Sequence, residues 1–393
     1  MSSLSENILL LICGLGILQG ILLAALIYFH PKSDRSVNAF LAMHILFISI
    51  AMTMPFTVRL ITWQKANLMQ PVLLLPAIFL YFYIRSFRER LNFKNTAPHF
   101  LIVFLFFIAV FWNTFIITAK YGDAKVPPKE VFYQPFNFII PIIQICLKLF
   151  YCLLTMRTLL SYQRSIQQLF SETSRIDLIW ARTLVSCYIF LVVAGVIMFI
   201  CMMRFPEHFN LLLIINVVMG TPYIYFATYK GVSQPTIWQL QPGTTTKTAH
   251  QEEVQVRIIN TDQPKASKGG LSEEKIHEIV SRIIFLFEKE KLYQETELTL
   301  QQLADKLQLH AYQVSQAINE GMKKNFYDLI NGYRVEEAKR LLLDSKSENY
   351  TILSVGFEAG FNSKTTFNTV FKKFTGVTPT EYRGRKKLIS AEV

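Results

Sequence analysis

Two short stretches of this 393-residue chain carry polar side chains whose types and spacing suit hydrogen bonding to a flat edge of alternating donors and acceptors. The first holds Tyr312, Gln313, Ser315, Gln316 and Asn319, and the second Lys364, Thr365, Asn368 and Thr369. A Gln or Asn amide donates and accepts at once and so can pair two-fold with adenine, while hydroxyl groups reach base edges or phosphates. Taken singly, each of these residues is an ordinary surface group, so the elements that carry them decide the matter. Other chemistries find no footing. No nucleophile–base pair, phosphate loop, paired-carboxylate signature or kinase motif is present, so no catalysis and no cofactor are expected. His44, His99, His208, His250, His277 and His310 are scattered, and Cys13, Cys146, Cys152, Cys187 and Cys201 all fall in apolar segments without metal-type spacing, so no metal is expected.

The positioning elements follow from periodicity and punctuation. Ile276, Ile279, Val280, Ile283 and Phe287 recur at helical spacing and predict an amphipathic helix between about 273 and 293. Leu300, Leu303, Ala304 and Leu307 predict another, with Thr299 as its N-cap and Gln302 completing a capping box. A turn at 308–310 leads to a helix over about 311–321. A long helix over about 326–343 follows, then a short one over 352–359 capped by Thr351 or Asn349 and broken by Gly360. Ser363 caps a last helix through Phe374, which Gly376 and Pro379 end. One helix–turn–helix is a common pattern in α-proteins, but here two occur in tandem. Their second helices begin at Ala311 and Ser363, joined by a connector about 27 Å long at 1.5 Å per residue. One turn of B-DNA is about 34 Å, so the two helices can enter successive major grooves on one face of a duplex.

Residues 299–383 resemble the DNA-binding domain of the AraC/XylS family. The resemblance is carried by Arg340-Leu-Leu, by Ile352-Leu-Ser-Val-Gly-Phe-Glu-Ala-Gly-Phe361, by Thr366-Phe-Asn-Thr-Val-Phe-Lys-Lys-Phe374 and by Gly376-Val-Thr-Pro-Thr-Glu-Tyr-Arg383. Residue by residue, it implies that Tyr312, Gln313, Ser315, Gln316, Asn319, Lys364, Thr365, Asn368 and Thr369 read bases. Ser363, Lys372, Lys373 and Arg383 are then phosphate ligands. Val314 and Ile318, like Phe367, Val370, Phe371 and Phe374, are core. Gly356 and Gly360 serve packing and the turn. Ala311 stands where the family usually has Ser or Pro. Double-stranded DNA is the implied partner, with a homodimer and RNA polymerase beside it, in a bacterial cell. Usual members attach a soluble sensor domain. This chain carries an apolar half instead, which resembles that of membrane-bound regulators of the same family, so the family's small-molecule effectors are not carried over.

Composition locates that half. Apolar residues make up 51% of the chain and charged residues 17%, against about 25% charged in ordinary soluble proteins. The formal net charge of +12 sits mostly before residue 231, where 18 Lys and Arg face 8 Asp and Glu, so it bears on membrane orientation more than on DNA. Seven spans are expected, at roughly 7–29, 38–58, 68–87, 98–118, 135–160, 179–203 and 209–229. The first, third and fifth connections carry ten Lys and Arg and the other side six, which places the N-terminus outside and the C-terminal part in the cytoplasm. Gln19, His44, Asn113, Asn137, Gln144, Lys148 and Asn216 are polar at membrane depth and are candidates for sensing or for interhelical hydrogen bonding. A last span without Lys argues against retinal chemistry, and spans without acids argue against ion-coupled transport.

Residues 231–270 lose apolar periodicity and gain Pro and Gly, which predicts a flexible tether, and the alternation at 254–259 suits a short strand or a coupling contact. The expectation is an all-α chain: a polytopic membrane domain over 1–230, a cytoplasmic linker over 231–270 and a double helix–turn–helix domain over 271–393. Such a chain regulates transcription from a bacterial cytoplasmic membrane, acting as a sensor. Two other readings stand beside it. In one, the C-terminal domain of a membrane receptor is a protein-interaction module. In the other, proteolysis within 243–270 releases the soluble part.

Overall fold

The structure, a computed structural model, describes residues 3–31, 35–57, 61–122, 135–173, 178–204, 209–233, 271–344 and 350–384. Among these residues every regular element is a helix, beside one isolated antiparallel bridge between Phe170 and Thr299. The all-α class expected from the sequence is the class observed. The chain folds as two compact units, Met1–Leu160 with Leu178–Thr246, and Ser161–Asp177 with Lys247–Val393. The second unit thus recruits a segment from far upstream. The expected tether from residue 234 onward, the strand at 254–259 and the cleavage region at 243–270 lie outside the described residues.

In the first unit, α1 (Ser3–Tyr28), α2 (Arg35–Thr57), α3 (Trp63–Asn67), α4 (Leu75–Ser86), α5 (Phe93–Tyr121), the first part of α6 (Pro135–Leu169), α7 (Ile179–Arg204) and α8 (Phe209–Ser233) follow in order. Helix α2 packs against α1, α4 and α8. Among the described residues five stretches are long and apolar enough to cross a membrane: Arg35–Met52, Gln64–Ser86, Phe93–Tyr121, Ile139–Leu169 and Ile179–Cys201. Leu18–Tyr28 is a shorter apolar helix. The expected first and last spans both lie on helices, and α8 runs on through Lys230 to Ser233.

The third span is not one helix. A short 3-10 turn, Gln70–Leu74, separates α3 from α4, with Pro71 and Pro76 in the first turns of their elements. Proline has no N–H to give a preceding turn, so the break falls where the sequence puts it. Polar side chains from neighbouring helices meet it: Gln144 donates to the Gln70 carbonyl at 2.7 Å, and Asn67 donates to Thr114 Oγ1 at 2.8 Å. Irregular backbone is tolerated at membrane depth when protein groups satisfy it in this way.

In the first unit several polar side chains are buried beside apolar ones, while much of the apolar surface of α5 is exposed. His44, Gln64, Asn67, Asn113 and Gln144 are buried, while Leu101, Phe104, Leu105, Phe111, Trp112 and Phe115 on α5 are exposed. His44 lies with Nδ1 2.7 Å from the Pro76 carbonyl and Nε2 2.7 Å from the Tyr223 hydroxyl. A carbonyl only accepts, so Nδ1 carries the proton and Nε2 accepts from Tyr223. Asn113 donates to Asn137 at 2.9 Å. Four of the polar candidates thus have partners within the first unit: His44, Asn113 with Asn137, and Gln144. Gln19 and Lys148 are half-buried, and the Asn216 side chain lies outside the described residues.

In the second unit, α9 (Glu273–Lys289), α10 (Leu300–Leu307), α11 (Ala311–Gly321), α12 (Phe326–Leu343), α13 (Ile352–Glu358) and α14 (Lys364–Thr375) form two separate cores. Ile276, Ile279, Ile283 and Phe287 of α9 join Leu303, Leu307, Val314 and Ile318, and Phe326, Leu329 and Ile330 of α12 complete this first core. Val335, Ala338 and Leu342 of the same helix enter the second core, with Val355, Phe361, Phe367 and Phe371. The seam between the cores crosses α12 between Ile330 and Val335.

Candidate nucleic-acid interface

The first polar cluster is positioned by two capped helices. Gln302 Oε1 accepts from the Thr299 N–H at 2.8 Å while Thr299 Oγ1 accepts from the Gln302 N–H at 3.2 Å, which is the capping box expected from the sequence. Helix α10 stops at Gln308, whose φ of 56° lies in the left-handed region. Helix α11 then opens with the His310 N–H donating to Gln313 Oε1 at 3.2 Å. A Gln three residues on thus helps to open the helix that the family usually begins with Ser or Pro. Val314, Ala317 and Ile318 are buried, so Tyr312, Gln313, Ser315, Gln316 and Asn319 share the opposite, open side. Tyr312 and Asn319 are exposed and the other three half-buried. Several of these amides already have partners: Gln316 Nε2 donates to Glu320 at 3.1 Å, and Asn319 Nδ2 to Ser315 Oγ at 3.4 Å.

The second cluster is built in the same way. Thr351 caps α13 by accepting from the Ser354 N–H at 3.0 Å, which decides between the two expected caps among the described residues. Gly360 turns the chain with φ 93°, and a Cβ there would lie 2.7 Å from the Gln294 Cα, so both conformation and space require glycine. Ser363 Oγ accepts from the Thr366 N–H at 3.1 Å to start α14, and Gly376 ends it with φ 79°. Lys364, Thr365 and Thr369 are exposed and Asn368 is half-buried, while Phe367, Val370 and Phe371 are buried.

Phe374 corrects an expectation. The sequence places it in the core with Phe367, one heptad before it, but it is 40% exposed. Its ring edge faces Gly332 of α12, which has no side chain to cover it. The Lys373 ammonium lies 5.6 Å from the ring centroid instead.

The four phosphate candidates differ in how free they are. Lys373 pairs with Asp328 at 2.7 Å, and Arg383 Nη1 donates to the Tyr350 carbonyl at 2.7 Å. Ser363 is occupied as the α14 cap. Lys372, like Lys364 among the base-reading candidates, is exposed and makes no hydrogen bond or ion pair among the described residues. The basic residues at 385–387 lie outside the described residues.

Sequence reasoning missed the buried ionic centre behind the two clusters. Arg334 is 0% exposed, on α12 at the seam. Its Nε donates to the Tyr293 carbonyl at 2.8 Å, and its Nη2 to the Glu295 carbonyl at 2.6 Å and the Thr296 carbonyl at 3.3 Å. Nη2 also donates to Ser171 Oγ at 3.3 Å and Nη1 to Asn331 Oδ1 at 3.4 Å. Burial lowers its basicity to about 10, which leaves it charged at neutral pH. One turn on, Glu337 accepts from Arg340 at 2.9 Å and from Lys291 at 3.0 Å. The Arg340 hydrogen bonds, against an opposing effect of burial, hold this carboxyl down to about 2. Its stabilisation is therefore complete above the ordinary carboxylate range and is lost only as pH falls toward 2. The periodicity of α12 gave the one available signal, since an Arg placed between apolar positions 330 and 335 falls on the inner face.

With this geometry in hand, comparison with known proteins bears on the C-terminal part of the chain. Residues 303–385 match a family described as a helix-turn-helix domain. Uncharacterized HTH-type transcriptional regulators of Staphylococcus aureus strains COL and N315 are each 28% identical over 120 residues, which is 30% of this chain and 15% of theirs. The chain thus matches less than a fifth of the length of these relatives. A Listeria innocua protein of unknown function is similar in structure, with a TM-score of 0.24 and 27% identity, over 27% of this chain and 95% of that one. The C-terminal part of the chain accordingly carries a helix–turn–helix domain of the AraC type.

Proposed function

We propose that this chain is a membrane-anchored regulator of transcription that binds double-stranded DNA sequence-specifically through α11 and α14. The observation that carries the reading is the tandem arrangement itself: two capped helices, each with a buried apolar face and an open polar one, on the two cores that α12 joins. Within it, Tyr312, Gln313, Ser315, Gln316, Asn319, Lys364, Thr365, Asn368 and Thr369 read bases, and Ser363, Lys372, Lys373 and Arg383 take phosphates. Residues 1–230 form the membrane domain, with seven spans and the N-terminus outside, 231–270 the tether and 271–393 the DNA-binding domain. The exposed apolar surface of α5 beside buried polar groups supports a lipid environment. The sharing of one unit by 161–177 and the C-terminal domain is consistent with this topology, in which two spans separate them and both lie on the same side of the membrane. Two chains side by side in the bacterial cytoplasmic membrane raise the effective concentration of paired DNA domains, with RNA polymerase as the downstream partner.

Two experiments test this. Cysteine labelling of intact cells should modify a residue placed at 125 and spare one placed at 289; the reverse pattern contradicts the topology. Lys372→Ala should weaken binding of the full-length protein to all duplexes alike and reduce the slope of log K against log salt by about 1. An unchanged slope would remove Lys372 from the phosphate contacts.

A further inference from the structure

Ser171 is completely buried, 160 residues upstream of the helix against which it lies. Its N–H donates to the Leu298 carbonyl at 3.2 Å, and its Oγ donates to the same carbonyl at 2.7 Å. Its carbonyl accepts from Asn331 Nδ2 at 2.9 Å, and its Oγ accepts from Arg334 at 3.3 Å. Phe170 pairs with Thr299, the N-cap of α10. Leu169 packs against the first core. On the other side of the seam, Glu172 Oε1 accepts from Thr366 Oγ1 of α14 at 3.4 Å. Four consecutive residues, 169–172, therefore form a strap whose contacts include the first helix–turn–helix, the connector at its seam and the second reading helix.

We propose that this strap is the device by which the membrane domain controls DNA reading, a proposal that rests on the regulator function argued above. Its placement suits a brace. Thr366 is buried at the edge of the apolar face of α14, beside Phe367 and Val370, while Lys364, Thr365 and Thr369 are exposed, so the strap touches the reading helix without covering these side chains. The docked strap fixes the angle between the two halves in the DNA-competent arrangement. Undocking does not unfold the domain, because Arg334 keeps the Tyr293, Glu295 and Thr296 carbonyls and Asn331 keeps the Tyr327 carbonyl at 3.0 Å. It opens the seam, and the halves must then be ordered again at the cost of DNA affinity.

The strap directly continues α6. That helix has 35 residues, about 52 Å at 1.5 Å per residue, against a hydrocarbon core of about 30 Å. Its last turns, from Ser161, belong to the second unit, so one helix carries residues of both units and runs into the strap. This element gives the membrane domain a two-state contact to bias.

The test uses the full-length protein in lipid nanodiscs. Ser171→Pro removes both the N–H and the hydroxyl. A two-alanine insertion after Tyr162 leaves the strap intact but turns it by about 200° relative to the bundle. Hydrogen exchange should quicken at residues 298–300 and 329–335 in both variants while α9 and α11 stay protected. Affinity for duplexes that the wild type selects from sheared host genomic DNA should fall about tenfold. Unchanged exchange at the seam would overturn the brace. So would quickened exchange with unchanged affinity, or an insertion variant that behaves as wild type. If the wild type selects no duplex, the regulator reading fails on its own, and the seam exchange still decides whether the strap joins the two halves.

Discussion

Arg334→Met is expected to destabilise the C-terminal domain by about 3–5 kcal/mol, the scale for breaking a buried, hydrogen-bonded charge. The methionine fills much of the volume but leaves the carbonyls of Tyr293, Glu295 and Thr296 without their donor. Each unsatisfied buried carbonyl costs about 1–3 kcal/mol, so the loss consumes a large share of the roughly 5–15 kcal/mol that holds a domain folded. Arg334→Lys should fall between, because an ammonium keeps the charge but cannot serve several carbonyls with a planar fork. Thermal melting with limited trypsin digestion of the full-length protein checks this, the cleavage being followed within 290–300. A melt for Arg334→Met that matches the wild type would show that the buried guanidinium is not what joins the two halves.

Lys364→Ala with Asn368→Ala is expected to leave stability unchanged and to weaken specific DNA binding about a hundredfold. Neither side chain makes a hydrogen bond within the protein among the described residues, so neither helps to hold the fold. Each well-made base contact carries about 1–3 kcal/mol of discrimination, and two lost together reach that fold-change. The first reading helix should respond differently. Gln313→Ala removes the acceptor that the His310 N–H uses, so its effect on binding will be mixed with a loss of about 1 kcal/mol in helix stability. Binding curves beside melting curves for the same variants separate the two kinds of loss.

What could be read from the sequence was what local chemistry encodes. Thr299 with Gln302, Ser363 and Gly376 marked helix ends to within a residue, because a cap needs particular side chains at particular positions. The polar faces of α11 and α14 followed from their apolar partners by helical periodicity. Phe374 followed the same periodicity and was misassigned, since the missing cover at Gly332 lies on another helix. The third span read as one apolar run, although Pro71 and Pro76 had marked its break. Ser171 could not be found this way. A lone serine after a long apolar helix has no local signature, and its partners at 298, 331 and 334 are contacts of tertiary structure alone.

The most direct test of the central claim is chromatin immunoprecipitation of the tagged full-length protein beside the Lys364→Ala/Asn368→Ala variant, both checked for equal amounts in the membrane fraction. The account predicts discrete promoter peaks for the wild type that vanish in the variant. Peaks that persist in the variant would contradict the assignment of these residues to base reading. An absence of peaks for both proteins would contradict DNA reading and favour a membrane receptor whose C-terminal domain binds another protein.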